Sequence, residues 1–517
     1  MNRSRWLIVG VVAALLGALF VVSTLTARGG DPLTETTATS STIGRPDVEG
    51  GESTSTTSPE PEAPDEEPPT TVPVPDDGFA DPSVDDVPDE TFSGLGDPRV
   101  DVVHYDLQVA ADPGVDTITG AATISLASVT EVPLAEFTLD LVALDVATVV
   151  VDDEEATFDH TDGELTIRPA EPLPSLEVVE VVVEYAGTPR PRYFEALASE
   201  IGWQRDDDGG WFTLSEPHGT STWAPVSDHP ADKATWRISL STPAGTTGVA
   251  NGRLVEQIED GDRTSWVWEQ DRPMATYLAL VAVGHYDLVR RTAADGTELV
   301  FAFPTSLSGD LRAGFDEFEQ ILAFFTSEFG PYPDDDAGAI VIPTNLALAL
   351  ETQTRPTFSR DWLRPGEVTA LAHEIAHEWF GNAVTPEEWT DLWLNEGFAT
   401  YADLMWIAHS TGTDLTRLVD DDENRMFGSD LAPYSASAAS QFDAAVYGNG
   451  ARALHALRLE VGDDTFRSIV RRWFAERSGQ VVTTADFVEL AEAESGRDLE
   501  AFFQQWLEAG GYHELPG

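Results

Sequence analysis

The 517-residue chain contains no cysteine. Disulfides, thiolate metal sites and a cysteine nucleophile are therefore excluded, which leaves histidine and carboxylates as metal ligands. Positive charge is also scarce: 29 Lys and Arg stand against 91 Asp and Glu, a formal net charge of −62. Such a polyanion repels nucleic acid, so that partner is excluded. Lys233 is the single lysine, and every other basic side chain apart from histidine is arginine. This surface suits solubility in saline surroundings and is equally what a biased genome produces.

What is present points to a large folded protein with an export segment. The hydrophobic fraction is 42%, and the length gives room for two or three domains. Arg3 and Arg5 precede an uncharged apolar run from Trp6 to Thr26, long enough to cross the hydrocarbon core as a helix. Leu25-Thr26-Ala27 is a poor cleavage signal, so an uncleaved anchor is favoured over a removed signal peptide in residues 1–30. The two arginines place the N-terminus inside and the remainder outside a cell membrane; a cleaved segment would instead leave a secreted protein. Residues 31–96 are rich in Thr, Ser, Pro and acid, with 17 acidic side chains against Arg45. They cannot bury enough apolar surface to fold and read as a solvated stalk.

Residues 97–296 carry strand patterns. Tyr105 to Val109 and Ala121 to Leu126 alternate, and Val178 to Tyr185 is β-branched. Turn signals at Asp162-Gly163, Asp208-Gly209 and Asn251-Gly252 separate such runs. This is the pattern of a β-sandwich. From about Val300 the period becomes helical: Phe315, Phe318, Ile321, Leu322 and Phe325 share a face between Leu311 and Phe329. Ala339 to Pro343 is a short strand. A helix opens at Pro365 and runs through His377 to Gly381-Asn382, and another spans Glu388 to His409. The fold class is α+β: a β-sandwich, a mainly helical catalytic domain over 297–446, and a helical tail over 447–517 with Phe502, Phe503 and Trp506 as core.

His373-Glu374-Ile375-Ala376-His377 places two imidazoles at i and i+4 on one helix face, where both reach one ion. Glu374 lies beside them, placed to take a proton from water. Glu396, 19 positions after His377, supplies a third ligand and leaves a fourth position open. The implied cofactor is one Zn²⁺.

The run from His373 to Tyr401, with Trp379-Phe380-Gly381-Asn382 and Trp393-Leu394-Asn395-Glu396-Gly397, resembles the M1 family of zinc aminopeptidases, the gluzincins that include aminopeptidase N. Trp223 to Lys233, with Pro225, Asp228, Pro230 and Asp232, resembles that family's sandwich domain, as does Asn251-Gly252. The resemblance covers residues 97–517 and implies a sandwich followed by a thermolysin-like catalytic domain. It implies that Tyr447, in Val446-Tyr447-Gly448-Asn449-Gly450, stabilises an oxyanion. It implies further that Glu351 binds the free amino group of a peptide substrate, with Glu216 as a second carboxylate. The family's Gly-x-Met-Glu-Asn motif is here Leu348-Ala349-Leu350-Glu351-Thr352, which keeps only the glutamate. The chain lacks the long helical domain of large family members, so a more open cleft is expected. The alternatives are a zinc endopeptidase or other zinc hydrolase on this scaffold, and a non-catalytic surface binding protein.

Overall fold

A computed structural model describes residues 91–516, apart from 93, 347, 363–367, 421–430 and 435–438. The apolar run Trp6–Thr26, the stalk up to residue 90 and the helix start at Pro365 lie outside the described residues. Among those described, no helix is long and apolar enough to cross a membrane.

The N-terminal half is built on an eight-stranded sheet. Its first strand, Val100–Ala111, buries Val100, Val102, Tyr105, Leu107, Val109 and Ala111. The change of phase between Val102 and Tyr105 is a bulge at Val103, between the paired residues Val102 and His104, which returns the apolar side chains to the core face. This strand pairs antiparallel with Ile118–Ser128, and on its other side parallel with Ala234–Pro243, Leu107 facing Ile238. A second, five-stranded sheet contains Trp211–Leu214, Ser199–Arg205 and Arg192–Phe194 and delivers the loop that carries Glu216 to the cleft. A three-stranded sheet, Phe137–Asp140, Thr157–Thr161 and Glu164–Arg168, completes this half.

The catalytic half opens with its own five-stranded sheet: Tyr286–Thr292, Glu298–Pro304, Asp336–Ile342, Thr357–Ser359 and the edge pair Ala349–Leu350. Tyr286–Thr292, read from the sequence as part of the sandwich region, pairs here with Glu298–Pro304. A strand period reveals a strand but not which sheet accepts it. Helix Phe318–Phe329 buries Phe318, Ile321, Leu322, Phe325 and Phe329, each worth about 1.5–3 kcal/mol when fully buried; Phe318 meets Phe301 of the sheet, and Phe325 and Phe329 pack on Trp379. The helices of residues 447–517 pack against the rest of this half. Val481–Val482 pairs with Thr385–Pro386, and Thr484 donates its backbone N–H to Asp391 at 2.9 Å.

Polar ties join the two halves close to the site. The Lys233 ammonium donates to the carbonyls of Asn382 (2.9 Å) and Ala383 (3.2 Å), just beyond the second histidine. Asn251 donates to the Gln353 carbonyl at 2.8 Å, and the Gly252 N–H donates to Thr354 Oγ1 at 2.8 Å. A side chain at Gly252 would strike Glu269, since an added Cβ lies 2.0 Å from its carbonyl oxygen. These contacts explain why Lys233 and Asn251-Gly252 belong to the motif that carries the resemblance.

Asp140 sits under this framework, accepting from the backbone N–H of Gly96 (2.9 Å) and Asp228 (2.8 Å). Burial, with the neighbouring Asp228 charge, pushes its carboxyl up to about 7. A raised folded value gives stability fully present below the unfolded value near 3.8 and lost as pH rises through about 7. The thermal midpoint of wild type minus that of Asp140→Asn should therefore fall between about pH 4 and 7 and then level off. A difference independent of pH would contradict this placement.

Candidate metal and active site

The histidine helix, Thr369–His377, lies against a second helix, Trp393–Thr411. The i,i+4 spacing sets the His373 and His377 ring centroids 4.8 Å apart. From the second helix Glu396 Oε2 approaches His373 Nε2 at 3.1 Å and His377 Nε2 at 3.4 Å. The three ligand atoms converge on one point, and all three residues are buried.

The outer ring nitrogens are fixed as well. His377 Nδ1 lies 3.1 Å from the Phe380 carbonyl, which can only accept, so Nδ1 carries the proton and Nε2 presents its lone pair inward. His373 Nδ1 is held 3.3 Å from Asp403 Oδ2. Such outer bonds set the tautomer and orientation that a metal ligand needs. Burial alone would raise the Glu396 carboxyl, but the positive charge that His377 and His373 carry when protonated holds it down to about 2. Two imidazoles and one carboxylate with a free side fit a zinc ion that keeps an open coordination position.

Glu374 lies on the same helix and lines the same cavity. Burial pushes its carboxyl up to about 8, against the pull of His373 and His377. Tyr447 stands in a π-helical turn, Ala445–Asn449, its ring stacked 6.1 Å from that of His373. Two glycines allow this. Gly397, next to Glu396, and Gly450 meet backbone to backbone, and a Cβ added at Gly450 would lie 2.9 Å from Gly397 Cα. Helix Gly450–Val461 can thus press against Trp393–Thr411 and bring Tyr447 to the glutamate ligand.

Glu351 follows the edge strand Ala349–Leu350, and its carbonyl accepts from Asn382 Nδ2 at 2.8 Å. Glu216 enters from the N-terminal half. Carboxylate oxygens of Glu216, Glu351 and Glu396 lie within 4.8 Å of one another. Glu216 Oε1 and Glu351 Oε1 are buried with no hydrogen-bond partner among the described residues. Burial raises both carboxyl groups, and the adjacent carboxylates add to the shift at Glu216.

All seven residues singled out from the sequence line one cavity, whose remaining wall includes Leu197, Leu348, Ala349 and Trp362. Sequence reasoning missed Asp403, although it lies seven residues after Glu396 on the same helix face, and Asn382's hold on Glu351. Leu197, from the Arg192–Phe194/Ser199–Arg205 hairpin, had no sequence signal.

The fold and this constellation, two histidines and a glutamate on consecutive helices, are of the gluzincin type. The Peptidase family M1 domain model matches residues 318–506, and the Peptidase M1 N-terminal domain model matches residues 102–278. The M1 zinc metallopeptidase from Deinococcus radiodurans is 31% identical with a TM-score of 0.77, covering 83% of this chain and 98% of that one. A mutant of the Deinococcus radiodurans M1 zinc metallopeptidase, bound to a Tyr-Ser-Ala substrate, is likewise 31% identical with a TM-score of 0.77, covering 83% of this chain and 99% of that one. The chain belongs to peptidase family M1. Among curated relatives, glutamyl aminopeptidase of Sus scrofa is 26% identical over 88% of this chain and 52% of its own length. Aminopeptidase N of Lactococcus lactis is 25% identical over 71% of this chain and 47% of its own. The chain thus spans about half or less of the length of the curated relatives it matches.

Proposed function

We propose that this protein is a zinc aminopeptidase that removes the first residue of peptides with a free N-terminus. The observation that carries this reading is the pair of buried, unpartnered carboxylate oxygens, Glu216 Oε1 and Glu351 Oε1, beside the ligand set. Buried acceptors of this kind are costly unless a cation meets them. A substrate ammonium supplies three donors and a positive charge, and its capture there places the first peptide bond over the ligands.

His373, His377 and Glu396 would hold a zinc ion, which when bound would supply Lewis acidity to the scissile carbonyl and to water. Glu374 accepts the proton of the attacking water and returns it to the leaving amine. The Tyr447 hydroxyl donates a hydrogen bond to the oxyanion of the tetrahedral intermediate. Asp403 and the Phe380 carbonyl keep the two imidazoles oriented.

Glu351→Gln tests the amine anchor. The expected result is a KM for aminoacyl anilides raised by about 10- to 100-fold, with zinc content unchanged. An unaltered KM would remove Glu351 from that role and favour an endopeptidase or general hydrolase on this scaffold. The apolar run Trp6–Thr26 after Arg3 and Arg5 supports a catalytic part held outside a cell membrane on its acidic stalk. Release of the full chain from membranes by carbonate alone, without detergent, would contradict that placement.

A further inference from the structure

Glu216 Oε1 is buried and accepts no hydrogen bond among the described residues, so polar contacts do not hold that oxygen in place. Its direction depends on the turn that carries it. Ser215 Oγ donates to the Ala279 carbonyl at 2.6 Å, the Gly219 N–H donates to the Ser215 carbonyl at 2.5 Å, and Ser221 Oγ donates to the His218 carbonyl at 3.0 Å. These bonds fix the ends of the turn. Its middle is fixed by packing of the His218 ring, two residues beyond Glu216.

Two rings meet that imidazole nearly edge-on. Phe194 lies 5.8 Å away at 79°, and Phe92 lies 5.2 Å away at 76°. Phe92 also touches Phe194 (5.8 Å) and Trp389 (6.1 Å). Trp389 is fully buried, belongs to the catalytic half, and packs 5.1 Å from Tyr277. The Tyr277 hydroxyl in turn accepts from Asn395 at 3.2 Å, next to the ligand Glu396. Phe92 therefore joins the loop of one substrate carboxylate to the scaffold of the metal ligands. Its own segment is tied down a few residues on. The Gly96 N–H donates to Asp140, and Asp97 accepts from the Thr138 N–H at 2.9 Å and pairs with Arg99.

We propose that Phe92, near the end of the segment read from the sequence as the acidic stalk, is a positioning residue for substrate-amine recognition: it wedges between His218 and Trp389 and holds the Glu216 turn facing the cleft. The proposal rests on the aminopeptidase reading. The end of the stalk is then a working part of the active centre rather than a tether.

The test is a double-mutant cycle in the full-length zinc-loaded protein, with Phe92→Ala, Glu216→Gln and the pair, read as KM and kcat on leucine anilide. Phe92→Ala should raise KM about 3- to 10-fold, with kcat changed less than about twofold and zinc content unaltered. Phe92→Trp, which keeps an aromatic wedge, should recover most of the loss. In the Glu216→Gln background Phe92→Ala should add little, because the carboxylate it positions is gone. An unchanged KM in Phe92→Ala would overturn the proposal. So would an equal further loss in both backgrounds, or a fall in kcat and folded fraction at constant KM, since these are what a purely structural residue gives. A wild-type protein inert on free-amine anilides would instead sink the aminopeptidase reading itself, and the proposal with it.

Discussion

Glu374→Gln is expected to keep zinc near one ion per chain while kcat falls by about 10²–10⁴-fold. The amide is nearly isosteric, and the ligand geometry does not run through this side chain. Glu396 Oε2 lies 3.1 and 3.4 Å from the two imidazole Nε2 atoms, and the outer nitrogens bond to Asp403 and the Phe380 carbonyl. What is lost is the capacity to accept a proton from water and return it to the leaving amine. Metal analysis beside steady-state kinetics separates the two functions. Wild-type turnover with full zinc would rule out Glu374 as the base, and loss of zinc would show that it supports the ligands instead.

Tyr447→Phe should lower kcat by about 10²–10³-fold with little change in KM, the signature of a hydrogen bond made mainly in the transition state. The ring stacked 6.1 Å from His373 is retained in the variant, so packing and metal affinity should persist. Only the hydroxyl, which lies beside Glu396, is removed. An equal rise in KM with kcat unchanged would instead assign Tyr447 to ground-state binding. The Gly397–Gly450 contact is what brings Tyr447 into place.

The candidate metal ligands could be picked out in the sequence because their spacing is local. Two histidines four residues apart must share a helix face, and Glu396 starts the next helix. Strands such as Val100–Ala111 were legible for the same reason, since alternation is a property of neighbours. Partnerships were not. Nothing in the period of Val100–Ala111 announces its parallel pairing with Ala234–Pro243, more than 130 positions away, or that Tyr286–Thr292 leaves the N-terminal half for the catalytic sheet. Glu351 and Glu216 entered through the family resemblance, because a glutamate in so acidic a chain carries no signal of its own. Their convergence on Glu396 is a tertiary fact, brought about by an edge strand and a loop from opposite halves. Phe92 stood in a segment read as a solvated stalk, where composition averaged over 66 residues hid one anchoring side chain at its end.

The most direct test of the central claim compares aminoacyl anilides with their N-acetylated twins, with and without a zinc chelator. The account predicts chelator-sensitive hydrolysis of the free amines and essentially none of the blocked twins, because Glu351 and Glu216 require an ammonium. Hydrolysis of the twins at the same rate would contradict it, leaving the metal centre in place but removing the amine anchor.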